Sequence, residues 1–182
     1  EMDFNLVRLG SNAGGLLIGA IETISQAVAQ TIEFILERPE LQKQAKNALK
    51  SDEEFKGIVW ECLRFVPISP YVFRQTSQEY TLAKGTDHET TIPARTNVLA
   101  LTQSAMFDEY AFDNPDQFNS DRNWYHHFNY GFGSHECLGK YVGMEMIPEM
   151  VRQVLLLPNV MSKSEIDYKD GPFPEEYKLI WV

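Results

Sequence analysis

The sequence predicts a mainly α-helical protein with small β-sheets, an α+β fold in which the helices form the core. Apolar residues recur at helical spacing over residues 4–38 and again over 138–157. A capping signal, Ser51 followed by three acidic residues, begins another helix between them. Short strand-like pieces separated by polar turns occupy the middle of the chain, at residues 71–75, 80–82, 90–92 and 98–101.

The first helix is predicted to be a central helix. Its apolar positions are Leu17, Ile21, Ile24, Val28, Ile32 and Ile35. At about 1.5 Å per residue, a helix of this length crosses most of a domain. Pro39 ends it and suits the first turn of a second helix that runs toward Leu49. The helix that begins at Ser51 is predicted to continue to about Phe65.

The remaining segments are predicted to lead into and out of one loop. Residues 106–124 are rich in Asp, Asn and aromatic side chains without periodicity, which indicates an ordered meander. Residues 124–128 are interpreted as packing residues, because the adjacent histidines are poorly spaced for a metal pair. Pro148 is expected to kink or shorten the helix over 138–157. Residues 179–182 are predicted to form a closing strand.

Bulk composition restricts the function classes. The chain has 182 residues and a net charge of −10, which argues against nucleic acid or an anionic membrane as the main partner. The two cysteines do not form a disulfide framework, so a reduced, cytoplasmic setting is expected. The longest uncharged apolar stretch, residues 9–21, is shorter than the roughly 20 residues of a membrane span. We therefore predict a soluble protein with small-molecule or protein partners.

A glycine-rich loop at residues 130–139 carries the clearest chemical signal. It places Cys137 after Gly131 and Gly133 and before Gly139, two positions after His135. Glycines allow positive φ angles and let the backbone pass close to a flat ligand. A helix after Leu138 would point its free amides at the sulfur and favour the thiolate that ligates metal. A lone cysteine suits one axial position on haem iron better than a zinc or iron–sulfur site.

Two further patterns add to this signal. The segment Gly19-Ala20-Ile21-Glu22-Thr23 puts small residues, an acid and an alcohol inside an apolar helix. A threonine hydroxyl can bond one turn back and loosen the helix, and a partly buried carboxyl group is suited to relay protons. Close packing at Gly19 and Ala20, with Glu22 in solvent, is the alternative. Glu61 and Arg64 are spaced to form an ion pair on one helix.

Together these patterns resemble the cytochrome P-450 family. The loop resembles its haem-binding signature, with Tyr130 where Phe is usual. The Gly19–Thr23 segment is similar to the oxygen-activating motif, with Ala20 where Gly is more common, and Glu61 and Arg64 are similar to the Glu-x-x-Arg motif. The resemblance covers nearly the whole chain but only the later half of a typical member. It implies the C-terminal portion of the P-450 fold, with residues 1–182 as a single haem-binding domain, the later half of a larger one.

The resemblance also implies roles for individual residues. Cys137 would ligate the iron of haem b (iron protoporphyrin), which would lie between the loop and the helix near Ala20. Thr23 and Glu22 would position water and deliver protons to dioxygen, so that a C–H bond of a small organic substrate is oxidised. Residues implied to bind the cofactor are Arg74 and His135, for its carboxylates, and Ala20, Gly133 and Gly139, beside the ring.

The resemblance implies an electron donor, because no flavin or nicotinamide motif is present. Ferredoxin, flavodoxin or a reductase would supply electrons, and Lys140, Arg152 and Arg122 are hypothesised to form a local basic patch for it. A missing N-terminal half is a further expected partner. Two alternatives stay open: a peroxide-dependent or hydroperoxide-rearranging haem enzyme, which needs no donor, and a non-catalytic haem-binding fragment.

One departure concerns the partner of the Glu61–Arg64 pair. The family is expected to supply an Arg from the segment before the loop, and this chain has Gln117 where that Arg is sought. Either Arg122 or His127 takes over this contact, or the network is weaker; the sequence leaves these alternatives open.

Overall fold

The computed structural model describes residues 5–123, 127–171 and 173–182. The described chain divides into two compact units. The first contains the residues up to Ile68 and those from Asp116 onward, and the second is Ser69–Pro115. The predicted combination of dominant helices and small sheets is confirmed. The predictions for residues 124–126 lie outside the described residues.

The first unit is built on three long or medium helices and one short one. The helices are α1 (Leu6–Leu36), α2 (Pro39–Ala48), α3 (Asp52–Phe65) and α5 (Lys140–Leu155). Asn5 caps α1, since its side-chain Oδ1 accepts from the amides of Val7 and Arg8 at 3.0 and 3.3 Å. Arg152, on α5, donates to the Leu49 carbonyl between α2 and α3. A two-residue antiparallel pair, β5 (Met161–Ser162) with β6 (Leu179–Ile180), closes the chain as predicted.

The core of this unit lies where α1, α2, α3 and α5 pack together. Phe34, Phe65 and Phe118 form an aromatic cluster with ring centroids 5.6 to 6.2 Å apart. Burying such apolar side chains stabilises the fold by about 1.5–3 kcal/mol each. The largest fully buried apolar side chains are Trp60, Phe55, Ile35, Ile58, Leu63, Val59 and Val151.

Only the C-terminal half of α1 behaves as the predicted central helix. Its buried residues are confined to Ala27 through Ile35, whereas Leu16, Leu17, Ile18 and Ile21 are exposed. The expectation that the whole helix is central is therefore wrong for this chain, because no described element covers its first half. By length and composition α1 would also pass as a membrane span, as core helices of soluble proteins do. The absence of a membrane span stays a prediction.

The second unit consists of two separate two-stranded sheets and a short helix. Strand β1 (Val72–Gln75) pairs antiparallel with β4 (Asn97–Ala100), and β2 (Tyr80–Leu82) pairs with β3 (Thr90–Ile92). Helix α4 (Thr102–Ala105) follows β4, and the amide of Gln103 donates to the Pro70 carbonyl at 3.0 Å. The four predicted strands are confirmed to within one residue at each end.

Pro148 does not shorten α5, which runs through it to Leu155. The proline lacks the amide that would bond to the Met144 carbonyl, and the residue is buried. The described part of the predicted meander, residues 106–123, contains turns and bends and no helix or strand, as expected.

Candidate functional site

The loop before α5 folds around its own backbone. Two 3₁₀ turns, Phe128–Tyr130 and Gly133–His135, are linked through Gly131, and both Gly131 and Gly133 have φ of +70°. A side chain at either position would be strained. The amide of Cys137 donates to the Tyr130 carbonyl at 2.8 Å, which closes the loop across seven residues.

This closure presents the Cys137 thiol outward. Cys137 is a free, exposed cysteine, and its carbonyl accepts from the Lys140 amide at 3.2 Å as α5 begins. The sulfur lies 3.8 Å from the position a Cβ would take on Gly139. Phe132 and Leu138, on either side of it in sequence, are 83% and 87% exposed. The loop therefore exposes its cysteine together with two apolar side chains.

The donor set fits haem and not a multi-ligand metal centre. Within the described ranges, no group of three or more His, Cys, Asp or Glu side chains is arranged to hold a metal ion. A single cysteine sulfur flanked by apolar groups and glycines is the kind of ligand that the iron of a flat, largely apolar macrocycle would take. His135, exposed on the same loop, is free to reach a carboxylate at the ring edge.

The α1 segment has the predicted local disturbance. Thr23 Oγ1 donates to the Gly19 carbonyl one turn back, and Ser25 Oγ donates to the Ile21 carbonyl at 2.7 Å. Such bonds compete with the helical ladder and loosen it. A Cβ on Gly19 would meet nothing within 4 Å, so the helix surface there is open.

Glu22 differs from expectation. It is exposed, as are Gly19 and Ala20, whereas Thr23 is partly buried. The desolvation that was expected to prepare Glu22 for proton relay is absent, because nothing in the described chain covers this half of α1.

The predicted site residues fall into three groups. Cys137, His135, Gly133 and Gly139 share the loop. Ala20, Glu22 and Thr23 share one turn of α1, whose buried C-terminal half packs against α5. Arg74 belongs to the second unit: it lies on β1, is exposed, and its Nη1 donates to the Phe73 carbonyl at 2.7 Å.

A buried ion network lies between α3 and the segment that leads to the loop. Arg64 and Glu61 are 0% and 1% exposed and form two bonds, Nε to Oε2 at 3.0 Å and Nη2 to Oε1 at 2.8 Å. Arg122 adds a bond from Nε to Glu61 Oε1 at 3.1 Å, and the Asn119 amide adds another at 3.0 Å. Arg122 therefore makes the contact with Glu61 that was expected from an Arg at position 117.

Gln117 contributes through its backbone. Its carbonyl accepts from Nη2 of Arg64 at 3.4 Å and from Nη2 of Arg122 at 3.2 Å. His127 Nε2 lies 3.9 Å from Glu61 Oε2. Burial lowers the pKa of His127 from 6.5 to about 4, so the imidazole is neutral at pH 7 and the two arginines carry the positive charge.

Tyr130 packs beneath the loop. Its ring lies 5.6 Å from that of Trp60, and a Cβ on Gly143 would be 2.7 Å from its hydroxyl. The hydroxyl is buried and has no hydrogen-bond partner among the described residues. Burial, with the nearby Cys137 second, raises the pKa of Tyr130, so the hydroxyl stays protonated.

The hypothesised basic patch is wrong. Lys140 Nζ pairs with Glu136 at 2.6 Å, Arg152 pairs with Asp52 at 2.7 Å and with Glu149 at 3.1 Å, and Arg122 is committed to Glu61. All three cations are mostly covered, with side-chain exposures of 10 to 17%. The sequence did not reveal this neutralisation, because two of the four carboxylates, Asp52 and Glu61, are distant along the chain from the cations they pair with.

Two glycines that position the loop were missed in the sequence. A Cβ on Gly57 would be 2.3 Å from the Ser120 carbonyl oxygen, so Gly57 lets residues 117–123, called here the approach segment, lie directly on α3. In the same way, the absence of a Cβ at Gly143 lets the side chain of Tyr130 lie directly on α5. Both occur inside helices, where glycine costs about 1 kcal/mol, and that cost was the available signal.

Comparison with known proteins is consistent across sequence and structure. The family model described as Cytochrome P450 matches residues 2–160. The chain belongs to the cytochrome P450 family. It is 32% identical to cytochrome P450 NovI of Streptomyces niveus over 73% of this chain and 31% of that protein. It is 27% identical to mycinamicin IV hydroxylase/epoxidase of Micromonospora griseorubida, over 92% of this chain and 42% of the relative.

The fold of this P450 chain agrees with solved structures of the family. Cytochrome P450 CYP109Q5 from Chondromyces apiculatus superposes with a TM-score of 0.74 at 27% identity, over 92% of this chain and 42% of that one. The predicted P-450 fold is confirmed. The chain spans less than half the length of each of these relatives.

Proposed function

We propose that this P450 chain is the haem-binding portion of a haem-thiolate monooxygenase that uses dioxygen to oxidise a C–H bond of a small organic substrate. One observation carries the proposal: the loop closed by the Cys137–Tyr130 backbone bond presents an exposed sulfur beside two bare apolar side chains. Family membership and the hydroxylase and monooxygenase activities named for relatives support it.

Cys137 is the proposed axial ligand of haem b. The bond from the Lys140 amide to the Cys137 carbonyl begins α5 directly after the loop, so Cys137 lies at the N-terminal end of this helix. Gly133 and Gly139 leave room for a ring to lie close to the backbone. When bound, thiolate-ligated haem supplies the oxygen-activating chemistry.

Arg74 and His135 are the proposed partners of the haem carboxylates. Arg74 offers a planar fork of donors that fits a carboxylate in two places. His135 is exposed on the ligand loop and offers a ring N–H. Among the described residues, the Arg74 guanidinium makes one hydrogen bond, to the Phe73 carbonyl, and its remaining donors are available for a carboxylate.

Thr23 and Glu22, on α1, are proposed to deliver protons to dioxygen, and Ala20 on the same helix would lie beside the haem. Thr23 Oγ1 donates to the Gly19 carbonyl, and its lone pairs can accept from a water that Glu22 resupplies with protons. Glu22 is exposed in this chain, so the relay requires the remaining part of the P450 fold to cover α1.

The wider assignment follows from the same family membership. We propose that both units belong to one haem-binding domain, the later half of a larger one, in a soluble cytoplasmic protein. An external ferredoxin, flavodoxin or reductase would supply electrons. A missing N-terminal half would supply most substrate contacts.

Haem titration of the purified chain tests the ligand assignment. We expect stoichiometric binding and, after reduction under carbon monoxide, the absorbance band characteristic of thiolate ligation. Cys137→Ser should lose that band. Cys62→Ala is the matched control, since Cys62 is fully buried in the core and should leave the band intact. Retention of the band in Cys137→Ser would refute the proposal.

Turnover then separates the three candidate activities. A monooxygenase oxidises substrate with an electron donor and dioxygen, and Thr23→Ala uncouples electron consumption from product formation. Turnover with peroxide alone would favour the peroxide-dependent alternative. Thiolate-ligated haem with neither activity, even with the rest of the fold supplied, would identify a haem-binding protein without catalysis.

A further inference from the structure

The first unit has a pocket that the proposed function does not use. It lies where the ends of α1 and α3 meet α2 and the approach segment, and it is called here the phenylalanine pocket, because Phe34, Phe65 and Phe118 line it. Its volume is about 460 Å³, which is within the usual range for small-molecule sites. Its lining contains no residue of the cysteine loop and none of the Gly19–Thr23 segment.

Three aromatic rings form the apolar part of this pocket. Phe34 stacks on Phe118 with ring centroids 6.2 Å apart, and Phe65 lies 5.6 Å from the first ring and 6.0 Å from the second. Leu41, on α2, is the fourth apolar lining residue. Phe34 and Leu41 are buried, whereas Phe65 and Phe118 are partly exposed. Because the rings already pack on one another, a ligand that contacts them immobilises few side chains.

The charged side chains of the pocket differ in what they already bind. Arg38 Nη1 donates to the Phe34 carbonyl at 2.9 Å and pairs with Glu37 at 3.3 Å, and its guanidinium lies 3.6 Å from the Phe34 ring centroid. Glu40 and Asp116 are exposed, and neither forms an ion pair with a residue that the structure describes. The pocket therefore has two carboxylates available for a cation, while its arginine already has a carboxylate partner.

Phe118 connects the pocket to the buried ion network of α3. Gln117, the residue before it, accepts a hydrogen bond from Arg64 through its carbonyl at 3.4 Å. Asn119, the residue after it, donates its amide to Glu61 at 3.0 Å. A ligand on the Phe118 ring would therefore restrict the approach segment between two of the bonds that hold it on α3.

We infer that the phenylalanine pocket binds a small organic cation, an ammonium group joined to an aromatic body, and that this ligand stabilises the approach segment on α3. The body lies against the rings of Phe65 and Phe118, and the ammonium group pairs with Glu40 or Asp116. An anion of the same size is repelled by the two carboxylates, and a neutral analogue gains the apolar contacts alone. Binding at this pocket does not require haem.

Three matched probes test the inference on the purified chain: 3-phenylpropylammonium, 3-phenylpropan-1-ol and 3-phenylpropionate. Titration followed by backbone amide chemical shifts measures each affinity and locates the site. We expect the ammonium probe to bind with a dissociation constant on the order of 1 mM, about three- to tenfold more tightly than the alcohol. The largest shifts should fall in residues 38–44 and 116–119. Equal or tighter binding of the propionate, or largest shifts elsewhere, would overturn the inference.

Paired variants separate the pocket carboxylates from the overall negative charge. Glu40→Gln with Asp116→Asn removes both lining carboxylates, and Glu53→Gln with Glu54→Gln removes two exposed carboxylates that do not line the pocket. The pocket variant should prefer the ammonium probe over the alcohol by less than about twofold, whereas the control keeps the full preference. The alcohol should bind both variants equally, which shows that the pocket stays folded. Equal loss of preference in both variants would overturn the inference.

Hydrogen exchange tests the effect on the approach segment. At ten times its dissociation constant, 3-phenylpropylammonium should slow exchange of the Asn119 amide by up to about tenfold, and the propionate at the same concentration should not. Exchange that is unchanged by bound ammonium would refute the stabilisation of this segment. Sedimentation provides the last check, since self-association that the pocket variant abolishes would assign the pocket to a second copy of the chain and overturn the inference.

Discussion

Arg122 donates from Nε to Oε1 of Glu61 at 3.1 Å, across 61 residues of sequence, and this bond ties the approach to the cysteine loop onto helix α3. Glu61 is almost completely buried and also accepts from Arg64 and from the Asn119 amide. A buried carboxylate needs all these donors, because the free-energy cost of burying an unpaired charge is far larger than the net stabilisation that the bonds contribute.

Replacing Arg122 should therefore destabilise the first unit. We expect Arg122→Ala to reduce the free energy of unfolding by about 2–3 kcal/mol, since a charged hydrogen bond is lost inside the protein. Lys140→Ala, which breaks the more exposed pair with Glu136, should cost less than about 1 kcal/mol. Urea denaturation of both variants measures the difference, and equal losses would contradict a special role for Arg122.

Acid should weaken the same region through His127. Its pKa is about 4 in the folded chain and about 6.5 when unfolded, so the unfolded state binds more protons between these values. The contribution of His127 to stability is complete above pH 6.5 and falls as the pH drops toward 4. Between pH 7 and pH 5 we expect a loss of about 1–2 kcal/mol.

A His127→Gln variant isolates this effect. Its free energy of unfolding should change less between pH 7 and pH 5 than that of the unmodified chain, by the same 1–2 kcal/mol. Denaturation curves at pH 7, 6 and 5 provide the comparison. Parallel pH profiles for the two proteins would show that His127 is not the titrating group.

Removal of the Tyr130 hydroxyl should increase stability. The hydroxyl is buried against Gly143 without a partner among the described residues, and an unsatisfied buried hydroxyl costs about 1–3 kcal/mol. We expect Tyr130→Phe to gain about 1 kcal/mol, measured by thermal and urea unfolding. Tyr141→Phe, at a mostly exposed position, is the neutral control. A loss of stability in Tyr130→Phe would reveal a hydrogen bond to that hydroxyl.

A glycine pair tests the close contact between α3 and the approach segment. Gly57→Ala would force a Cβ to within 2.3 Å of the Ser120 carbonyl, and backbone must move to relieve it. We expect a loss of about 3 kcal/mol or more. Gly15→Ala, on an open face of α1, should instead gain up to about 1 kcal/mol from helix propensity. Gains in both variants would mean that the approach segment lies elsewhere.

Much of the fold was accessible from local patterns. The ends of α1 and α3 were predicted to within two residues, because proline, capping residues and apolar periodicity act over one or two turns. The ligand loop was recognisable because its glycines and cysteine are consecutive. Arg122 and His127 were only candidates for the Glu61 network, since their approach depends on how residues 117–123 and His127 lie on α3.

Charge and burial were predicted less well than element positions. The basic patch failed because each cation is covered by an acid, in two cases from another part of the chain. The expected partial burial of Glu22 was wrong because burial depends on what packs over a helix, and nothing in the described part of the chain covers the first half of α1.

The sequence by itself determined where the helices begin and end, that one cysteine stands on a glycine loop, and that an acid and a threonine share a turn of α1. Those properties depend on residues within a few positions of one another. Only the tertiary structure decided that Arg122 completes the Glu61 network, that Gly57 admits the Ser120 backbone, and that carboxylates cover the cations beside the loop. Each of these is a contact across many residues, and its energy depends on burial and distance, which local sequence does not specify.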